Sequence, residues 1–187
     1  EGGQVRASLG AWRKGSRKRR LGRNLGELGG TGARAGGRPA KWRMLGVNGR
    51  VAPQTSRIKA LLDPIAEPKS FIMTVNAGAI PADHWTQDPA VGGGRIIGEA
   101  CHFIDLLRHL AGVPILRHHA VALGRHPALA VWEDKATITL EFADGSLGTI
   151  HYLANGDKGF PKERLEVFAA GKVLQLDNFR RLRGWGW

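Results

Sequence analysis

The sequence predicts an α+β fold: a mostly antiparallel open sheet with helices packed on one face. Three observations lead there. Residues 95–111 (RIIGEACHFIDLLRHLA) place Ile96, Phe103, Leu107 and Leu110 at helical spacing. The chain after them alternates apolar and polar residues with a period of two. Asp144-Gly145 and Ala170-Gly171 are tight-turn signals between neighbouring alternating stretches, which makes those neighbours antiparallel hairpins. A helix followed by a run of hairpins is the signature of this class.

In order along the chain, Pro53 opens a first helix, and Ile58, Leu61 and Leu62 give it an apolar face before Asp63-Pro64 ends it. Residues 69–80 (KSFIMTVNAGAI) are rich in β-branched and apolar side chains and read as a strand running to Pro81. A polar loop, 82–94, carries Asp83-His84-Trp85 and closes on three glycines. The helix at 95–111 follows, with Gly112 as its stop. Strands are then expected at 115–123, 135–142, 147–153, 164–169 and 172–176.

Charge divides the chain. The net charge is +12 and the isoelectric point about 10.8, values that at first suggest a nucleic-acid binder. However, twelve of the 28 Lys and Arg residues and only two of the 16 acidic ones lie in the first 46 positions, so the remainder is nearly balanced. Residues 1–45 are Gly- and Arg-rich without helical or strand periodicity. Gly26, Gly29, Gly30, Gly32, Gly36 and Gly37 crowd one stretch there, and such a segment buries too little apolar surface to offset its ordering entropy. It reads as a disordered tail, or as a misread frame of a GC-rich gene. The domain itself is expected over 46–187.

Cys101 is the sole cysteine, so no intramolecular disulfide forms and nothing argues for secretion. No apolar run reaches the roughly 18 residues of a membrane span, and the N-terminus lacks the apolar stretch of a signal peptide. The expectation is a cytoplasmic protein with no membrane partner. Seven histidines without paired cysteines form no recognisable zinc pattern. Gly30-Thr31-Gly32-Ala33-Arg34-Ala35 matches G-x-G-x-x-A, but no strand precedes it and no helix follows, so the context of a dinucleotide site fails.

The segment from Gly92 to Asp105, GGGRIIGEACHFID, resembles the glycine-rich loop and first active-site helix of the Gfo/Idh/MocA C-terminal domain. The family pattern there is roughly G-G-G-x-x-x-D-x-G-x-H-x-x-D. The likeness is greatest to the Gfo/Idh/MocA half of bi-domain oxidoreductases, in which that half follows an alcohol dehydrogenase-like region. Asn48, Arg50 and Pro53, in NGRVAP, resemble the family's N-R-R-F-x-P stretch, and VNAGAIPADHWTQDP and LEVFAAGKVLQLDNF also fit. The resemblance spans about residues 47–187.

It implies a fragment of an NAD- or NADP-dependent oxidoreductase acting on a sugar or sugar-nucleotide hydroxyl, with the Rossmann domain and its E-K-P lysine absent from this sequence. His102 falls on the motif histidine and is the expected acid/base, since imidazole titrates in the range needed to take a hydroxyl proton. Gly98 occupies the motif's Asp position. Glu99, three residues before His102, is expected to supply the catalytic carboxylate. Asn48, His84, Trp85, Arg95 and Asp105 are the expected substrate contacts, with Asp105 also suited to holding the helix. Cys101 points about 100° from His102 and reads as a small core residue. The family's open sheet face implies a homo-oligomer. The alternative reading is non-catalytic: an oligomerisation module, or a binder of an anionic partner such as nucleic acid through Lys14, Arg17, Lys18, Arg19 and Arg20, with Trp12 for stacking.

Overall fold

A computed structural model of the chain describes residues 48–88 and 90–187. The expected tail lies outside them. A 3-10 turn (Asn48–Val51) leads into α1 (Pro53–Leu62), with the proline at its N-terminus as the sequence suggests. β1 (Ser70–Asn76) follows, then a long loop, then α2 (Cys101–Ala111), which is entered through one π-helical turn (Ile96–Ala100). Gly112, at φ +77°, terminates α2 in the left-handed conformation that glycine adopts without a Cβ penalty. Five strands follow: β2 (Ile115–Ala122), β3 (Ala136–Phe142), β4 (Leu147–Leu153), β5 (Glu163–Ala169) and β6 (Lys172–Asp177). They are followed by a sixth, β7 (Arg181–Trp185).

The seven strands form one sheet in the order β2-β3-β4-β1-β5-β6-β7. Five of its neighbour pairs are antiparallel. The exception is β1 with β4, which run parallel with Phe71 opposite Gly148 and Val75 opposite Tyr152. The fold class is therefore α+β with an open, mostly antiparallel mixed sheet, as the periodicities indicate.

Alternation sorts each central strand into two faces. Phe71, Met73 and Val75 of β1, Ile138 and Leu140 of β3, and Leu165 and Val167 of β5 point inward and are buried. Against them lie Ile58 and Leu62 of α1 and Phe103, Leu106, Leu107 and Leu110 of α2. Fully burying one such side chain contributes on the order of 2 kcal/mol. The opposite face stays open, with Ile72, Leu147, Phe168 and Trp185 exposed. β2 is an edge strand, and its Arg117 reaches Glu141 on β3 at 2.6 Å. Charge at an edge discourages further strand pairing.

Two features differ from expectation. β1 ends at Asn76, not at residue 80, because Gly78 at φ +67° turns the chain out of the sheet. β7 was not anticipated. Its hairpin turns through Asn178 and Phe179, both at positive φ, with the Arg180 N–H donating to the Asp177 carbonyl at 2.9 Å. A phenylalanine at positive φ is uncommon, so the local sequence did not announce a turn. The Ala170-Gly171 turn is where expected, yet Ala170 itself sits at φ +51°.

That strain is relievable. Ala170→Asn, which tolerates the left-handed region, is expected to raise unfolding stability by about 0.5–1 kcal/mol, measured as a higher urea midpoint at unchanged slope.

Candidate active site at the start of the second helix

β1 and β4 are parallel, so both release their chains at the same end of the sheet. The loop 77–94, the loop 123–135 and the connection 154–162 all leave or enter there. The first turn of the α2 segment arrives at this end. Carboxyl ends of parallel strands are where open sheets commonly place ligand crevices.

Arg95 fixes the geometry. Its side chain is buried at 6% exposure, and its Nη1 and Nη2 donate to the carbonyls of Gly78 (2.6 Å) and Ala77 (2.8 Å), just past the end of β1. Its Nε donates to Glu99 Oε1 at 3.1 Å. The other carboxylate oxygen, Oε2, accepts from the Tyr152 hydroxyl at 2.5 Å. The guanidinium carbon lies 5.7 Å from the centre of the Tyr152 ring. Burial pushes the Tyr152 hydroxyl well above its usual range, and the hydrogen bond to Glu99 and that group's charge push it further. Glu99 remains partly open, its side chain 39% exposed.

His102 follows one turn later and is half-buried. His102 lies three residues after Glu99, a spacing that makes two residues surface neighbours on an α-helix. Asp105, one turn further, accepts two hydrogen bonds from the Arg50 guanidinium, a paired arrangement that ties the Asn48–Val51 turn to α2. Asn48 begins that turn. Cys101 is exposed, not in the core. The buried stripe runs through Ala100, Phe103, Leu106, Leu107 and Leu110, and Cys101 falls beside it. Partial burial raises its thiol pKa, with the charges of Asp105 and Glu99 adding to the effect. That is the opposite of what a thiolate nucleophile requires.

His84 and Trp85 occupy a tight turn, in which the Gln87 N–H donates to the His84 carbonyl at 2.8 Å. The His84 Nδ1 lies 2.8 Å from the Thr86 hydroxyl, and Trp85 is 62% exposed. The glycines at 92–94 serve this loop. A Cβ on Gly92 would stand 2.5 Å from the Thr86 Cα and 2.6 Å from the Trp85 carbonyl oxygen, so only glycine lets the loop close on itself. Gln87 then donates to Asp134 Oδ2 at 3.2 Å. Asp134 is paired with Lys135 Nζ at 2.5 Å, and Lys135 also donates to the Val131 carbonyl at 2.7 Å. This almost fully buried pair joins the two loops.

The structure thus sets Arg95, Glu99 and His102 on successive turns of one helical segment, Asp105 a turn further with Arg50, and His84 and Trp85 on the loop that precedes them. Two participants escaped the sequence reading. Tyr152 was visible only as an inward position on a strand, although an inward tyrosine hydroxyl always needs a partner. Asp134-Lys135 drew no notice beyond the start of a strand at residue 135. Among the described residues no group of three or more His, Cys, Asp or Glu side chains is arranged to hold a metal. No helix among them is long and apolar enough to cross a membrane.

Residues 57–173 match the model of the GFO/IDH/MocA C-terminal domain. The chain belongs to the Gfo/Idh/MocA family. Its fold is shared with levoglucosan dehydrogenase, solved in complex with NADH and L-sorbose, at a TM-score of 0.63 and 22% identity over 75% of this chain and 42% of that one. UDP-N-acetylglucosamine 3-dehydrogenase from Acidithiobacillus ferrooxidans aligns at a TM-score of 0.57 and 18% identity, over 74% and 40% of the two chains. The super-repressor mutant of Gal80p from Saccharomyces cerevisiae aligns at 0.56 and 14%, over 74% and 45%. This Gfo/Idh/MocA chain therefore spans less than half the length of the solved relatives it matches. No curated protein sequence matches it.

Removing one member of a buried ion pair strands the other charge. Asp134→Ala is expected to cost about 3–5 kcal/mol, seen as a lower thermal midpoint, whereas Asp63→Ala, in an exposed pair with Lys59, should cost under about 1 kcal/mol.

Proposed function

We propose that this chain supplies the substrate-side half of an oxidoreductase site that acts on a hydroxyl of a sugar or sugar nucleotide. The observation that supports the reading is the placement of Glu99 and His102 on one turn at the carboxyl end of the parallel β1–β4 pair, within a family whose solved members include sugar dehydrogenases. In this reading the His102 imidazole takes the substrate hydroxyl proton. Glu99 orients the hydroxyl beside it. Asn48, His84 and Trp85 contact the sugar, while Arg95 and Asp105 serve it indirectly, as anchors of the loop and of the helix.

The family implies NAD or NADP. The described residues do not fit a dinucleotide: β1 leads into a long loop closed by Asp88 carbonyl bonds to Val91, Gly92 and Gly93, not into a glycine turn that opens a crossover helix. The share of the reaction assigned here to the described residues is substrate and proton. The compartment in this reading is the cytoplasm.

Turnover is to be assayed in the longest protein that the encoding DNA specifies, with NAD or NADP and a panel of sugars and sugar nucleotides. His102→Asn is expected to lower kcat by roughly 10²–10⁴-fold with an unchanged thermal midpoint. Parent-like turnover in that variant would remove His102 from the role, and inactivity of the parent across the panel would remove the reading.

The open sheet face supports a second element, a homo-oligomer formed through it. Ile72, Leu147, Phe168 and Trp185 lie on one side of four strands with 36–52% of their surface exposed, and such a patch commonly marks an interface. Sedimentation of the parent is expected to show a dimer or larger species, and Phe168→Glu a monomer.

A further inference from the structure

Tyr152 is the chain's one tyrosine, and it is fully buried on an inward position of β4. A phenylalanine would fill the same space beside Phe103, whose ring centre lies 6.5 Å away. The hydroxyl therefore needs a separate reason. Its partner is Glu99 Oε2, at 2.5 Å, yet Glu99 already has a cation on its other oxygen, Arg95 Nε at 3.1 Å. Compensating the buried guanidinium takes one oxygen; holding both fixes the plane of the carboxylate. Arg95 cannot follow a moving Glu99, because its terminal nitrogens are bonded to the Ala77 and Gly78 carbonyls. A carboxylate offers about four lone-pair positions. Two are taken on the protein side, and the 39% of the side chain that remains exposed faces away from it.

We propose that Tyr152 and Arg95 are positioning residues that hold the Glu99 carboxylate at the rim of the site as the acceptor for a hydroxyl of a polyhydroxylated substrate. The substrate class rests on the reading above; the two-point hold does not. A residue fixed by two buried donors loses no rotamer freedom when a hydroxyl arrives, which is how a weak single contact becomes useful for orientation.

Because no other tyrosine is present, a ¹³C label at the tyrosine Cζ reads this hydroxyl alone. In the full chain at neutral pH, Glu99→Gln is expected to move that signal upfield, as the phenol exchanges a charged acceptor for a neutral one. An unchanged signal, in a variant whose circular dichroism equals the parent's, overturns the hold. The acceptor role is tested with D-glucose as the probe. In chain labelled with ¹³C at the tyrosine Cζ, one signal reports the site. D-glucose is expected to shift it in the parent and not in Glu99→Gln, while trimethylamine N-oxide at equal concentration, which has no hydroxyl to donate, leaves it in place. A glucose shift that survives Glu99→Gln, or none in the parent, overturns the acceptor role. In the turnover assay Tyr152→Phe, which keeps the ring, should lower kcat about tenfold while leaving the KM for the nicotinamide unchanged; parent-like kcat counts against positioning. Inactivity of the parent across the panel of sugars would sink the oxidoreductase reading without touching the tyrosine signal's response to Glu99→Gln, so the two failures are separable.

Discussion

A buried guanidinium is among the costlier groups a small domain can carry, and Arg95 is tolerated because three partners surround it. Taking such a cation out of water costs several kcal/mol unless its donors are met. Here the need runs both ways. β1 ends at Asn76, and Gly78 turns the chain away, so the carbonyls of Ala77 and Gly78 lose the sheet partners they would otherwise have. Unpaired carbonyls at a buried strand end carry their own penalty. Arg95 satisfies them, and Glu99 balances its charge. One side chain thereby fastens the entry of α2 to the end of β1 and positions everything that follows on that helix.

The helix is held at a second point by Arg50 and Asp105, and the preceding loop is tied to its neighbour through Gln87, Asp134 and Lys135. These polar groups are engaged with the protein itself. His102 stands between the two fastenings, where its side chain inherits their rigidity without spending its own nitrogens on them. That arrangement suits the acid/base role proposed for His102. The π-helical turn belongs to the same logic. It spans Ile96–Ala100, between the Arg95 anchor and His102, and single π turns within helices recur at functional sites because they re-aim the side chains that follow.

Much of this fold was legible locally. The spacing of Phe103, Leu107 and Leu110 announced α2 and its buried face, Gly112 its end, and Asp144-Gly145 and Ala170-Gly171 two of the hairpins. What local pattern could not announce was long range. The parallel pairing of β1 with β4 joins Phe71 to Gly148 across the chain, and no turn residue encodes it. β7 was hidden because its turn uses Asn178 and Phe179, and because Arg181-Leu182-Arg183-Gly184-Trp185 carries little apolar alternation. The candidate site divides the same way. Glu99, His102 and Asp105 share one stretch of sequence and could be found by motif. Arg95 looked like a loop-end charge awaiting substrate, whereas burial turned it into an anchor. Tyr152, 53 residues from Glu99, became visible only when the sheet brought it beneath the helix.

The division of labour between helix and loops follows from these contacts. A recognition group on a loop must be ordered each time it binds, and side-chain and loop ordering count against affinity. Glu99 avoids that cost by standing on a helix braced from below by a core tyrosine. His84 and the exposed Trp85 do not, since their turn is stabilised mainly by its own short-range hydrogen bonds. The rigid part of the site is accordingly the part that would meet the reacting hydroxyl, and the adaptable part is the loop that would meet the rest of the molecule. Under the proposed role, the two buried fastenings of the helical turn would keep one geometry for the proton while the loop bearing His84 and Trp85 adapts around the rest of the bound molecule.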